Sequence, residues 1–313
     1  MRRSSADVVS FGEVLWDVYE TGPDTFRREP GGAPANLAVA LARLGMRAAI
    51  VGAVSNDAFG DALAARLRAA GVDVSSIVRL PNRTGLAFVR RDARGEPSFL
   101  FYRHETADMM LAPKHVCAST LEGARFAALG TSTMVREPLA SATRQFLALA
   151  AREGAAVALD LNVRAHLWKS PRAMRAAVAE LASRAALVKG SRADLAALGG
   201  QAFVRRHARA ATWIVTDGAG VARATGAHGT VEVPALRAKC VDATGAGDAF
   251  FAGVLAVLAS RGAVPGSAAW GDPAVFSDAL RVGHMLGRRV VSRVGAVSGL
   301  VRLGRELRIL RTP

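Results

Sequence analysis

The sequence is short of cysteine, lysine and long apolar runs. Two cysteines in 313 residues, Cys117 and Cys240, cannot build a disulfide framework, which excludes small disulfide-stapled folds and fits a reducing compartment. The longest apolar stretch, Ala249–Ala259, is bounded by Asp248 and Arg261 and is too short to cross a bilayer. Near the amino terminus, Asp7 and Glu13 interrupt the run Val8–Leu15, so no signal peptide is expected. A soluble cytoplasmic protein without a membrane partner follows as the expectation.

Lysine is scarce: Lys114, Lys169, Lys189 and Lys239 are the only four among 41 basic residues. Against 26 acidic residues the formal charge is +15. The arginines are scattered through alanine-rich segments such as 61–70, 172–184 and 202–211, whereas a nucleic-acid binder gathers its charge in a patch or tail. The excess reads as solvated helix faces, with a mild attraction for an anionic substrate as the functional alternative. A composition of 51% hydrophobic and 21% charged residues is that of a globular protein with a substantial core.

Short β-type runs alternate with helical patterns: 8–12, then helix-like 35–44; 48–54, then 58–70; 126–130, then 137–152; 155–162, then 172–184; and finally 186–190 and 213–218. Such alternation predicts a parallel sheet with helices on both faces, and the strands lack polar alternation because both of their sides are buried. Two segments, 13–30 and 84–103, are extended without a following helix. In the second, the turn signal Asp92-Ala-Arg-Gly joins two β-type runs, which predicts a hairpin and a small antiparallel sheet serving as a lid or a dimer surface.

The segment 240–255, Cys-Val-Asp-Ala-Thr-Gly-Ala-Gly-Asp-Ala-Phe-Phe-Ala-Gly-Val-Leu, puts small residues where an apolar helix begins. Unpaired N–H groups and a partial positive charge at a helix N-terminus hold phosphate when nothing bulky blocks the approach. Asp248, in the first turn, is placed to accept a proton from an attacking hydroxyl; the alternative is that it only complements the helix dipole. The segment 30–45 likewise sets Gly31-Gly32 before a helix, with Asn36 on its first turn. An amide both donates and accepts, as a sugar hydroxyl requires, although a glycine pair there is also a simple turn and cap.

The two segments together resemble the two signatures of the ribokinase-like (PfkB) carbohydrate kinases, GGAPAN and DATGAGD, and the resemblance runs over essentially the whole chain. It implies an α/β fold, a ribokinase-like doubly wound, mostly parallel sheet with helices on both faces and a small β-sheet lid. It also implies a single kinase domain over 1–313, with the lid formed by about 13–30 and 84–103. By the same resemblance Asp248 matches the catalytic base, and Gly245, Ala246 and Gly247 match the anion hole. Asp17, Gly32 and Asn36 match sugar-binding positions. Asp242 and Thr244, with the backbone of Val290, Arg293 and Gly295, match the monovalent-cation loop of members that use potassium; Gly299, beside Ser298, stands where a serine ligand often lies.

On the nucleotide side Thr216-Asp-Gly218 is similar to the family's segment under the ATP phosphates, and Ser191-x-x-Asp194 stands where many members carry Asn-x-x-Glu, a motif tied to magnesium. His284 falls near the adenine position. Lys189 and Arg293 are candidates for phosphate contact, with a solvated or helix-end role as the alternative. The resemblance is greatest to fructokinases, through Phe101-Tyr102-Arg103 with Ala107-Asp108-Met109 and through Asp160-x-Asn162-x-Arg164-x-x-Leu-Trp168. Phe99, Phe101 and Arg103 share one strand face by the two-residue period, so Arg103 either reaches an oxygen-rich ligand or lies on an edge in solvent; Arg164 is a second candidate. The four tryptophans are expected in core or lid packing.

The implied activity is transfer of the γ-phosphoryl group of ATP to the O6 hydroxyl of fructose, with Mg2+, with K+ as in the members that use potassium, and in a homodimer joined through the lid. 2-keto-3-deoxygluconate kinase is the near alternative, and a nucleic-acid-binding protein on the same fold the distant one.

Overall fold

The computed structural model describes residues 6–92, 95, 97–207 and 211–300. Thirteen strands occur among these: β1 (Val8–Phe11), β2 (Leu15–Gly22), β3 (Thr25–Gly31), β4 (Ala48–Ser55), β5 (Ile77–Leu80), β6 (Gly85–Arg91), β7 (Pro97–Tyr102), β8 (Phe126–Gly130), β9 (Ala156–Asp160), β10 (Leu187–Ser191), β11 (Thr212–Thr216), β12 (Val221–Gly226) and β13 (Gly229–Pro234). The helices are α1 (Ala33–Arg43), α2 (Ala58–Ala69), α3 (Leu139–Glu153), α4 (Pro171–Ala182), α5 (Arg192–Leu198), α6 (Gln201–His207), α7 (Ala246–Ser260) and α8 (Pro273–Val291).

Nine strands form the main sheet in the order β13-β12-β11-β10-β9-β8-β1-β4-β5. Pairing is parallel from β11 through β5, whereas the β11–β12 and β12–β13 pairs are antiparallel. Side chains alternate between two separate cores. Val9, Phe11, Leu129, Val157 and Val188 pack with α3, α4 and α5 on one face, while Val8, Phe126, Ala158 and Leu187 meet α7 and α8 on the other. This two-sided burial is why the central strands are apolar throughout. Residues 249–259 are all buried in α7, so the apolar run is a helix enclosed by protein rather than a membrane segment. No helix among the described residues is long and apolar enough to cross a membrane.

The segments expected to form a lid build a second sheet, β3-β2-β6-β7. Its outer pairs are antiparallel, but β2 and β6 pair in parallel, which corrects the expectation of a purely antiparallel sheet. Of the turn Asp92-Ala93-Arg94-Gly95, Ala93 and Arg94 lie outside the described residues; the Gly95 N–H donates to the Asp92 carbonyl at 3.0 Å. The small sheet is anchored to α2 by Trp16, whose indole N–H donates to the Phe59 carbonyl at 3.2 Å. The Arg28 guanidinium lies 4.5 Å from the Trp16 ring and 4.7 Å from that of Phe59, a geometry in which the aromatic faces attract the cation.

From β1 the chain builds β4 and β5 on one side and then crosses to β8 on the other, so strand order reverses between β1 and β8. A crevice opens outside the carboxyl ends of the strands at such a reversal. Gly12 and Glu13, Thr131 and Ser132, Asp160 and Lys189 are brought to that edge, facing the small sheet.

Candidate active site

The cavity at this edge is lined by Asp17 and Asn36, by Phe99, Phe101 and Arg103 of the small sheet's side, and by Gly245, Gly247 and Asp248 at the start of α7, with Arg164 and Lys189 in its wall. Segments more than two hundred residues apart therefore converge. The Asn36 amide donates to Asp248 Oδ2 at 2.8 Å, joining the first turns of α1 and α7.

Backbone geometry explains the glycines at both helix starts. Gly32, the N-cap of α1, has φ +98° and an added Cβ would stand 2.4 Å from the Glu13 carbonyl oxygen; Gly245, the N-cap of α7, has φ +75° and its Cβ would stand 2.5 Å from that of Ala296. Only glycine takes such a conformation without strain. The N–H of Ala246 is turned back to the Ala243 carbonyl at 3.2 Å, while Gly245 and Gly247, of the three residues matched to the anion hole, line the cavity. A Cβ on Gly247 would lie 2.9 Å from Lys189 Nζ, which places the ammonium beside the start of α7.

Lys189 is buried rather than solvated. Its Nζ lies 3.1 and 3.0 Å from the two Asp160 oxygens, and the carboxylates of Asp160, Asp194 and Asp248 outweigh burial to raise its pKa. Burial pushes Asp160 up to about 6 against the pull of Lys189. Asp248 is also raised, by burial first, while the Asn36 hydrogen bond and the charges of Lys189 and Arg164 hold it back. An aspartate so placed is a stronger proton acceptor once ionised than one in water. Asp17 is pushed up to about 8, chiefly by burial and then by Asp248, Asp242 and Glu13.

Arg103 is not in solvent. Its side chain is only 7% exposed and Nε donates to Asp108 Oδ2 at 2.5 Å. Arg164 lies 5.5 Å from the Phe99 ring. The turn between β6 and β7 meets the loop before α7, where the Gly95 carbonyl accepts the Ala243 N–H at 3.0 Å.

Ser191 and Thr216 are register partners at the ends of β10 and β11, and Gly218, at φ +51°, turns the chain just beyond. Asp194 is committed to its own chain: one oxygen accepts the Val163 N–H at 2.7 Å and the other the Ser191 N–H at 2.8 Å. It thus caps α5 and positions the strand-end loop containing Asn162, which also lines the cavity. His284 is buried, with Nε2 3.0 Å from the Val233 carbonyl and its ring against Phe250, a packing position between α7, α8 and β13.

Asp242 is fully buried. Its oxygens accept the N–H groups of Thr244 and Gly295, both at 2.9 Å, and the Thr244 hydroxyl at 2.6 Å. The Val290 carbonyl accepts the Arg293 N–H at 3.1 Å, closing the loop over this carboxylate. The donors are all neutral, so they do not balance the charge of this buried carboxylate. Glu13 and Ser132 also line the cavity, and no motif in the sequence pointed to them; Asn162, of the Asp160-x-Asn162-x-Arg164 run, lines it too.

A carboxylate on the first turn of α7, in a cavity it shares with a buried lysine, suits a small-molecule phosphotransferase of the α/β class. The model of the pfkB family carbohydrate kinases matches residues 5–302, and the chain belongs to that family: it is a carbohydrate kinase, a phosphotransferase with an alcohol group as acceptor. It is 34% identical over 308 residues to fructokinase-1 of Oryza sativa subsp. japonica, covering 94% of each chain. Among solved structures it superposes on ATP-bound fructokinase from Xylella fastidiosa with a TM-score of 0.88, 32% identity and 98% of each chain covered. It matches fructokinase from Vibrio cholerae O395, bound to fructose, ADP and a calcium ion, with a TM-score of 0.84 and 30% identity, over 95% of this chain and 96% of that one.

Proposed function

We propose that the protein is an ATP-dependent fructokinase that phosphorylates the O6 hydroxyl of fructose. The observation that carries this reading is the position of Asp248, on the first turn of α7, held by Asn36 and facing the same cavity as Asp17. Asp248 takes the proton as the sugar oxygen attacks the γ-phosphorus and the bond to the bridging oxygen breaks to release ADP, while Gly247 and Lys189 meet the negative charge of the transferring group. Asp17, Gly32, Asn36, Arg103 and Arg164 surround the sugar. Ser191, Thr216 and Gly218 edge the nucleotide side, Asp194 braces it, and His284 supports it from behind. Mg2+, when bound with ATP, neutralises phosphate charge.

The small sheet acts as a lid that excludes water, the competing acceptor. Its outer side carries Phe26, Leu100 and Tyr102, each more than half exposed, and the Phe26, Phe88 and Tyr102 rings form a chain of edge contacts at 5.9 and 5.5 Å. A contiguous exposed apolar face of this kind marks an interface, and a second copy of the chain is its occupant. The Asp242 loop, with Thr244, Val290, Arg293 and Gly295, holds K+, so exchange of potassium for choline lowers turnover.

ADP release coupled to fructose, 2-keto-3-deoxygluconate, ribose and adenosine tests the reading. Fructose is expected to give the highest kcat/KM; preference for another sugar would refute it.

A further inference from the structure

Glu13 leaves the end of β1 directly into the cavity wall, where it is 8% exposed. Its Oε2 accepts the Ser132 hydroxyl at 2.8 Å, which fixes the carboxylate. Opposite stands Arg103, whose Nη2 is 3.7 Å from the same oxygen, beyond hydrogen-bond distance. That Nη2 is fully enclosed and has no hydrogen-bond partner. Arg103 cannot swing toward Glu13 without giving up Asp108, which is itself held by the Thr106 hydroxyl at 2.6 Å.

The wall thus presents an unpaired donor and a fixed acceptor on either side of a short gap. A buried N–H left unpaired is unfavourable, so the gap favours a guest atom that accepts from Arg103 and donates to Glu13. A hydroxyl does both, whereas a carboxylate only accepts. A carboxylate would satisfy Arg103 but set its own oxygen against that of Glu13. Charge points the same way, since two carboxylates, Asp108 and Glu13, stand against the one Arg103 guanidinium.

The structure assigns Glu13 as a specificity-determining residue: with Arg103 it forms a hydroxyl-selective subsite that favours uncharged sugars over sugar acids. This assignment rests on the sugar-binding reading of the cavity and names the class of sugar it accepts. Arg103 is then a cation reserved for a hydroxyl, not a receptor for a carboxylate.

The test is calorimetric binding of fructose and of 2-keto-3-deoxygluconate, with ADP present, to wild type, Glu13→Gln and Glu13→Asp. Glu13→Gln keeps the shape and an acceptor but removes the charge. It is expected to bind the sugar acid about tenfold tighter and fructose about tenfold more weakly, while Glu13→Asp continues to exclude the acid. The assignment is overturned if Glu13→Gln binds the acid no tighter than wild type, or if Glu13→Asp gains the acid equally. Should Glu13→Gln lose its cooperative melt, Ser132→Ala decides. Freeing the carboxylate is expected to narrow the preference for fructose over the acid about threefold or more, and an unchanged preference overturns the assignment. Turnover judges the fructose reading separately. Wild type without fructose-dependent ADP release defeats that reading, while the sugar-acid arm still decides the role of Glu13.

Discussion

Replacing Asp17 with asparagine should make the protein more stable and less active, by an amount that depends on pH. Asp17 is buried, with its pKa raised from 3.8 to about 8 by burial and by Asp248, Asp242 and Glu13. Between those values the folded state holds a proton that the unfolded chain has released, so stability falls as pH rises through the window. From about pH 6 to about pH 8 this single group costs the wild type roughly 2 kcal/mol. Asparagine does not titrate, so the melting temperature of Asp17→Asn relative to wild type should climb by roughly 4 °C over the same interval. Thermal melts of both proteins at the two pH values measure the difference directly, since groups not coupled to Asp17 cancel. Sugar-dependent turnover should fall at the same time, the trade expected where a site keeps a buried charge for function. A difference in melting temperature that stays flat with pH would refute the reasoning.

Two further outcomes follow from the same geometry. Lys189→Met leaves Asp160 buried without its cation and is expected to cost about 3–5 kcal/mol in urea melts. Adding Asp160→Asn should recover most of that stability but none of the turnover, because the ammonium beside Gly247 is still missing. Leu100→Glu, at a position 60% exposed on the small sheet, puts a charge into the proposed dimer face, and light scattering should report monomers where wild type gives dimers; an unchanged mass would place the interface elsewhere.

The parallel sheet was legible in the sequence because strands buried on both sides are apolar without alternation, and β1, β4, β8, β9 and β10 all fall within or beside the expected runs. The hairpin of β12 and β13 was not recognised, although Gly226-Ala-His-Gly229 between alternating segments is a turn signal. Asp248 and Asn36 could be read because each stands in a glycine-flanked helix start, whose chemistry is local. Glu13 and Ser132 could not, since their meeting depends on β1 and β8 being neighbours. The two-residue period put Arg103 on the cavity face with Phe99 and Phe101 correctly, but its commitment to Asp108 is a matter of tertiary packing.

The central claim is that Asp248 takes the proton during transfer. Fructose-dependent ADP release by Asp248→Asn, with fructose binding followed in the same preparation by calorimetry, tests it most directly. The account predicts a fall in kcat on the order of a hundredfold or more, the usual scale for a general base, with folding retained and fructose still bound. Turnover near that of wild type would contradict it.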